Sequence, residues 1–150
     1  MPIPADLSSA PELSTQSLPT GGSPEQARLD AARAFAVQAA RLAANTNCQN
    51  VVVLDVTGVS PVTDFLVIAT GTSPRQMKTV GDEVEEVGEG QDYRAISRVG
   101  DDSSSWTCID FVDVVVHVFS RDARSYYDLD GLWGDTRPVE WRDPVASERH

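Results

Sequence analysis

Residues 64–74 of the chain read DFLVIATGTSP, and this stretch decides the fold class. Its first part, Phe65–Thr70, is a nearly continuous apolar run of strand length, as is typical of a strand that is buried on both faces. Its second part places Ser73 and Pro74 directly before a segment with helical periodicity. Serine is a favoured N-cap residue and proline suits the first helical position. A buried strand that leads directly into a capped helix is typical of an α/β protein.

The sequence on both sides of this stretch supplies further elements. An earlier S-P-x-Q signature at Ser23 predicts a capped helix that ends near Asn45, in which Gln26 completes a capping box. The glycines at 81 and 88 weaken the helix that follows Ser73. A last short helix is predicted over about 122–132. The predicted strands are Val51–Val56, Phe65–Thr70, Tyr93–Val99, Trp106–Asp110 and Asp113–Phe119, with a hairpin turn at Phe111-Val112. This α-β-β-α-β-β-β-α order predicts an α/β fold with a mixed β-sheet of about five strands and flanking helices.

The length of 150 residues favours one domain, which we expect to occupy residues 23–141. Four of the nine prolines fall within residues 1–22 among Ser, Thr and Gly, so a disordered N-terminal tail is predicted there. Residues 142–150 are predicted to form a disordered C-terminal end. No apolar run approaches the roughly 20 residues that a membrane-spanning helix needs, so no membrane association is predicted.

The charge balance excludes one class of function and favours another. The chain has 12 Lys and Arg against 23 Asp and Glu, a net charge of −11, which argues against an ordinary nucleic-acid binder and predicts little direct contact with nucleic acid. A partner attracted by charge is expected to be basic. Two cysteines, Cys48 and Cys108, stand in no metal-binding or redox motif, which indicates free thiols in a reducing compartment and a cytoplasmic location. No cofactor and no metal site are predicted.

Three local patterns could carry chemistry. The turn before Pro74 could hold a phosphate on backbone N–H groups, although helix capping by Ser73 is the favoured interpretation. Asp110 and Asp113 could bind a metal if a hairpin turn brings them together, but turn-flanking aspartates are favoured because no third ligand is close in sequence. His117 lies within the last predicted strand without a recognisable nucleophile beside it, so a structural or binding role is favoured over catalysis.

Aromatic residues are concentrated in the C-terminal part of the sequence. Seven of the ten lie between Trp106 and Trp141. Tyr126 and Tyr127 are adjacent in the predicted last helix, so that helix cannot bury both along the same line. Aromatic and leucine residues beside aspartates are typical of an interface core with an acidic rim, with packing in the protein core as the alternative. This region is the best candidate binding surface in the sequence.

Three ordered motifs resemble a known family. Residues 64–73 resemble the family block D-y-f-V-I-a-t-G-x-S, residues 106–119 resemble W-x-x-x-D-x-x-D-v-v-V-H-v-f, and residues 124–133 resemble R-x-Y-Y-x-L-E-x-L-W. Together they identify the chain, over about residues 25–140, as similar to the ribosomal silencing factor family, also called the Iojap family. Three departures are Val99, where the family usually has Glu before Gly100, Val112, in place of a usual turn glycine, and Asp130, in place of the common Glu. Because a β-branched residue resists positive φ, the hairpin turn is expected to be strained at Val112.

The resemblance implies a translational repressor without enzymatic activity, on a nucleotidyltransferase-like fold. Members of the family bind the large ribosomal subunit through its ribosomal protein number fourteen and thereby block joining of the small subunit under nutrient limitation. Carried over by motif, the partner-binding residues are Trp106, His117, Tyr126, Tyr127, Leu129, Asp130, Leu132 and Trp133, with Asp110 and Arg124 as supports. A homodimer that competes for the same face is a further possibility, and a metal-dependent nucleotidyltransferase that uses Asp110 and Asp113 is the alternative function.

Overall fold

The computed structural model describes residues 23–100, 105–127 and 136–142. The predicted tail 1–22 and all but the first residue of the predicted C-terminal end lie outside these ranges. The chain divides after Ala31 into two compact units. In the first unit, the described residues form the first two turns of a helix, where Arg28 pairs with Glu25 at 2.6 Å. The second unit contains the rest of that helix and the whole sheet.

The second unit is an α/β fold built on one mixed six-stranded sheet. The strand order is β3-β4-β5-β2-β1-β6, in which β2 and β5 are parallel and all other neighbours are antiparallel. The predicted fold class is therefore confirmed. The elements are α1 (Pro24–Asn45), β1 (Gln49–Asp55), β2 (Phe65–Thr70), α2 (Pro74–Glu89), β3 (Ser97–Gly100), β4 (Trp106–Asp110), β5 (Val114–Phe119), α3 (Arg121–Tyr127) and β6 (Arg137–Pro138).

The sixth strand is the element that the sequence did not predict. β6 has two residues and pairs with the C-terminal end of β1. The pairing continues where the N–H of Val139 donates to the carbonyl of Val53 at 2.8 Å and the indole of Trp141 donates to the carbonyl of Val51 at 3.0 Å. A strand of two residues is too short to show a periodicity in the sequence. It is held in place by hydrogen bonds to a distant segment of the chain.

One face of the sheet is covered by α1, from Ala32 onward, and by α2. Every residue of β2 is buried, as predicted for a strand with both faces covered. Phe35 of α1 stacks on Tyr93, with ring centroids 4.6 Å apart, and meets Phe111 edge-on at 4.9 Å. Within residues 23–100, 105–127 and 136–142, no helix is both long enough and apolar enough to cross a bilayer.

Helix caps follow the S-P-x-Q prediction with one difference. The hydroxyl of Ser23 accepts the N–H of Gln26 at 2.9 Å, and the hydroxyl of Ser73 accepts the N–H of Gln76 at 3.1 Å. The capping box predicted for Gln26 is wrong, because its side-chain amide donates to Asp30 at 2.9 Å, one helical turn further on.

The third strand begins later than the sequence predicts, at Ser97 instead of Tyr93. Residues 93–96 lie before β3 and are not part of it. The reason is that the N–H of Tyr93 donates to the carbonyl of Gly88 at 2.8 Å and so completes the end of α2. Gly88 allows this approach, since a Cβ there would lie 2.5 Å from the carbonyl oxygen of Tyr93. Packing of the helix end, which the strand-like composition of 93–99 does not encode, therefore decided this boundary.

The boundaries of β1 and of the hairpin turn also differ from the prediction. β1 begins at Gln49, with an irregularity before Val52, and ends at Asp55. The hairpin turn lies one residue later than predicted, at Val112-Asp113, because the N–H of Phe111 pairs with the carbonyl of Val114 at 2.9 Å. The described α3 ends at Tyr127, and the rest of the helix predicted over 122–132 lies outside the described residues.

Candidate partner-binding face

The two faces of the sheet differ in what covers them. On the helix-covered face, Ile109, Val116 and Val118 are fully buried. On the opposite face, β4 and β5 carry several residues that are only partly buried, whereas Phe119 and the residues of β2 on that face are buried. We call this second surface the aromatic face. Cross-strand pairing assigns to it Trp106, Cys108 and Asp110 of β4, Val115, His117 and Phe119 of β5, and Leu66, Ile68 and Thr70 of β2.

A small apolar cluster supports the aromatic face from within. Phe119 is buried in it beside Ala123 of α3, which places α3 on this side of the sheet. The partly buried side chains of Val52, Trp106 and Val115 pack against the cluster. The face therefore has an ordered apolar base, while Trp106 and Val115 keep part of their surface open.

Three nearly parallel rings form the centre of the aromatic face. The centroids of His117 and Phe119 lie 5.6 Å apart, those of Trp106 and His117 lie 6.4 Å apart, and those of Trp106 and Phe119 lie 6.5 Å apart. Trp106 pairs with Phe119 across β4 and β5, and His117 follows two residues before Phe119 on the same side of its strand. Strand alternation and register thus bring the two predicted site residues Trp106 and His117 together.

His117 is held by a hydrogen bond as well as by stacking. Its Nδ1 accepts the indole N–H of Trp106 at 3.3 Å. Burial lowers the pKa of His117 from its ordinary value of 6.5, since a charged imidazole is less well solvated there. The preference for a hydrogen-bonded strand histidine over a catalytic one agrees with this geometry.

Cys108 is the residue of this face that sequence reasoning missed. It lies directly across from His117. Burial, followed by the negative charge of Asp110, raises the pKa of the Cys108 thiol to about 11, so the thiol is neutral at pH 7. Cys108 follows Trp106 by two residues in β4, so strand alternation is the sequence signal that places both side chains on the same face.

The predicted supporting residue Arg124 connects α3 to the sheet. Its guanidinium donates to the hydroxyl of Thr70, at the end of β2, at 2.9 Å. Ser120 begins α3 by accepting the N–H of Ala123 at 3.1 Å. The last two residues of α3 are Tyr126 and Tyr127. The other predicted site residues, Leu129, Asp130, Leu132 and Trp133, lie outside the described residues.

The other predicted support, Asp110, stabilises the hairpin turn. Its carboxylate accepts the N–H of Val112 at 2.8 Å, and the N–H of Asp113 donates to the carbonyl of Phe111 at 3.0 Å. Val112 has φ +76°, the strained conformation expected for this position. Asp110 thus acts as a turn-flanking aspartate. No group of three His, Cys, Asp or Glu side chains within the described ranges is arranged to hold a metal ion.

The turn before α2 is a helix cap joined to α1, which agrees with the capping interpretation. The side-chain oxygen of Gln76 accepts the N–H of Thr72 at 3.0 Å. Its amide nitrogen donates to the carbonyl of Thr46 at 2.7 Å and to the sulfur of Cys48 at 3.3 Å. One glutamine therefore satisfies backbone groups at the start of α2 and after the end of α1.

Comparison with known proteins places this architecture in a family. A family model described as "Ribosomal silencing factor during starvation" matches residues 29–150. A ribosomal silencing factor of Halalkalibacterium halodurans is 37% identical over 98 residues, which are 65% of this chain and 84% of that protein. The chloroplastic protein Iojap of Zea mays is 34% identical over 71% of this chain and 46% of its own length. A crystal structure from Chromobacterium violaceum superposes with a TM-score of 0.63 at 26% identity, covering 77% of this chain and 93% of that one. The chain belongs to the ribosomal silencing factor family.

Proposed function

We propose that this chain binds the large ribosomal subunit through its ribosomal protein number fourteen and sterically blocks joining of the small subunit, as a translational repressor of the cytoplasm. Family membership supports a ribosome-associated silencing role. The observation that carries the proposal is the aromatic face, where the partly open side chains of Trp106 and Val115 lie on an ordered apolar base. Aromatic residues in such a setting are typical binding hot spots.

The charge of the chain supports a basic partner. A net charge of −11 repels the phosphates of ribosomal RNA and attracts a basic ribosomal protein at long range. Blocking then needs no reaction. A 16.2 kDa protein that occupies the subunit-joining surface excludes the other subunit by its volume.

The proposed contact extends from the sheet to the C-terminal motif. Trp106 and His117 form its described part, and the motif residues Tyr126, Tyr127, Leu129, Asp130, Leu132 and Trp133 are proposed to complete it. The reason is chain continuity, because α3 follows β5 through the cap at Ser120 and lies on the aromatic side of the sheet. Asp110 and Arg124 are proposed as supports, through the hairpin turn and through Thr70 respectively.

A co-sedimentation experiment tests this proposal. The purified chain is centrifuged with isolated large and small subunits, together with Trp106→Ala and with Val62→Ala as a control at an exposed position in the β1–β2 loop. We expect binding to the large subunit only, weakened about thirtyfold by Trp106→Ala, as for a hot-spot residue, and unchanged by Val62→Ala. Thermal unfolding of both variants shows whether they are folded. Absence of binding to either subunit, or equal binding by folded Trp106→Ala, contradicts the proposal.

The proposed activity is not enzymatic, and this also has a test. In the nucleotidyltransferase alternative, Asp110 and Asp113 bind a metal, whereas the Asp110 carboxylate already accepts the N–H of Val112. Calorimetric titration with a magnesium–nucleotide complex is expected to give no heat of binding. Magnesium-dependent nucleotide binding that Asp110→Asn abolishes would favour the enzyme.

Self-association through the same face is proposed as a competing state. A second copy would cover the apolar groups that the ribosomal partner covers, so dimer and complex would exclude each other. We expect a mass that rises with concentration and that Tyr127→Ala returns to the monomer value. A strictly monomeric chain at high concentration contradicts this part of the proposal.

A further inference from the structure

The hydrogen bond between Trp106 and His117 requires one protonation state of the imidazole. An indole N–H is only a donor, so Nδ1 of His117, which lies 3.3 Å from it, must be an acceptor without a proton. The neutral imidazole then carries its proton on Nε2. If His117 takes up a second proton, Nδ1 becomes a donor and two N–H groups face each other.

We propose that His117 is a positioning residue for Trp106, which it holds against Phe119 on the aromatic face while neutral and releases when protonated, so that mildly acidic pH weakens partner binding. The inference rests on the proposed function, since it assigns a regulation to the same face. Trp106 is the residue that moves, because it is the first residue of β4 and its side chain is only partly buried, whereas Phe119 across from it is buried in the apolar cluster.

The groups that face His117 favour the neutral imidazole at pH 7. On β4, Cys108 lies opposite, and its thiol is neutral because burial and Asp110 raise its pKa to about 11. On β2, the residue opposite is Ile68, which has no charge. Asp110, two residues from Cys108, is the acidic group on this face of β4, and it is engaged at the turn by the N–H of Val112.

The helix packed against β5 adds positive charge. Arg124 of α3 bonds to Thr70, which lies across from Phe119, and Arg121 bonds to Gln49 of β1 at 3.2 Å. The exposed carboxylate of Asp122 is the acidic group among the residues of α3 whose side chains are described. Burial lowers the pKa of His117 from its ordinary value of 6.5, so the imidazole is neutral at pH 7.

The first part of the test uses the isolated full-length chain. Indole N–H signals are followed by nitrogen-15 NMR from pH 7.5 to pH 5, and Trp106→Phe identifies the signal of Trp106 among the three tryptophans. We expect this signal to shift with the protonation of His117 and to become independent of pH in His117→Asn, whose amide oxygen can still accept at the position of Nδ1. A signal that stays constant while His117 titrates overturns the positioning role.

The second part measures binding to isolated large subunits at pH 7.5 and at pH 5.5. The readout is the ratio of the two dissociation constants, so a general loss of affinity in a variant does not affect it. We expect the native chain to bind more weakly at pH 5.5, by up to about tenfold, the equivalent of one lost hydrogen bond, and the ratio to approach one in His117→Asn and in Trp106→Phe. His117→Asn is also expected to bind better than His117→Ala.

The chain offers a matched control, because it has two histidines and the other is the last residue, His150. His150→Gln is expected to keep the native ratio. Equal ratios in the native chain and His117→Asn overturn this inference but leave the proposed function intact. A native chain that fails to bind at either pH overturns both, and the NMR experiment then still reports on the contact between Trp106 and His117.

Discussion

Asp55 at the end of β1 accepts a hydrogen bond from Arg137 at the start of β6, with 3.4 Å between Oδ2 and Nη2. The same oxygen lies 3.3 Å from Arg33 of α1, and the other oxygen accepts the N–H of Thr57 at 3.0 Å. Asp55 is only 8% exposed. A single buried carboxylate therefore joins α1, the end of β1 and the sixth strand.

The first prediction concerns the stability that Asp55 provides. Burial by itself raises the pKa of Asp55, but the hydrogen bonds from Thr57 and the charges of Arg137 and Arg33 outweigh it, so the pKa lies below its ordinary value of 3.8. Both arginines are largely exposed, so solvent screens these ion pairs. We expect Asp55→Asn to lower the free energy of unfolding by about 1 kcal/mol at pH 7, measured by urea denaturation.

The pH dependence of this difference has a definite sign. Because the folded-state pKa is lowered, the stabilisation is fully present above the ordinary pKa of 3.8 and is lost as the pH falls through the lowered value. The gap between the native chain and Asp55→Asn should therefore close in acid. Glu83→Gln, which removes one negative charge from the exposed side of α2, serves as the control and should leave stability nearly unchanged. A gap that does not shrink as the pH falls below 3.8 contradicts the prediction.

The second prediction concerns the strained turn at Val112. Its φ of +76° lies in the region that L-residues with a Cβ avoid, and β-branched side chains avoid it most. Val112 is exposed, so its replacement removes little packing. We expect Val112→Gly to raise the free energy of unfolding by about 1 kcal/mol, measured by denaturant titration. Val62→Gly, at another exposed valine without a positive φ, should instead be neutral or destabilising. Equal losses in both variants would show that the turn is not strained.

The third prediction concerns the end of α2. A Cβ on Gly88 would lie 2.5 Å from the carbonyl oxygen of Tyr93, 3.0 Å from Phe111 and 3.3 Å from Phe35. Because the closest atom belongs to the backbone, it cannot move without shifting the loop. We expect Gly88→Ala to destabilise the protein by about 1–3 kcal/mol in thermal or chemical unfolding.

Gly90 provides the matched control for this prediction. It has helical backbone angles, with φ −72°, and the nearest atom to a Cβ there is 3.5 Å away. Gly90→Ala should therefore be neutral or stabilise the protein by up to about 1 kcal/mol. If the two variants behave alike, close packing at Gly88 is not the cause.

The fourth prediction concerns the proline-rich segment before Ser23. Its composition favours disorder, and the proposed contact lies on the aromatic face. Deletion of residues 1–22 is therefore expected to leave binding to the large subunit within about twofold in co-sedimentation, a difference smaller than one hydrogen bond. Binding that disappears in a truncated but folded chain would assign the segment a role in the contact.

Elements with a local signal were predicted from the sequence. The apolar run at Phe65–Thr70 and the cap at Ser73 are properties of neighbouring residues, so strand β2 and the start of α2 are readable without any fold. The strain at Val112 follows from the family resemblance, because a β-branched residue stands there in place of the usual turn glycine. The second family motif also predicts Trp106 and His117 as partner-binding residues, without indicating that their side chains are in contact.

Tertiary structure alone decided the features that depend on distant partners. β6 forms because it pairs with the edge of β1 and because Arg137 bonds to the carboxylate of Asp55. Tyr93 is not part of the third strand, because Gly88 has no side chain and lets the backbone of Tyr93 pack against the end of α2. The ring contact between Trp106 and His117 depends on the register of β4 with β5, which a period of two residues leaves undetermined. Local free energies are encoded by neighbours in the chain, whereas pairing, register and close packing are set by groups that only folding brings together.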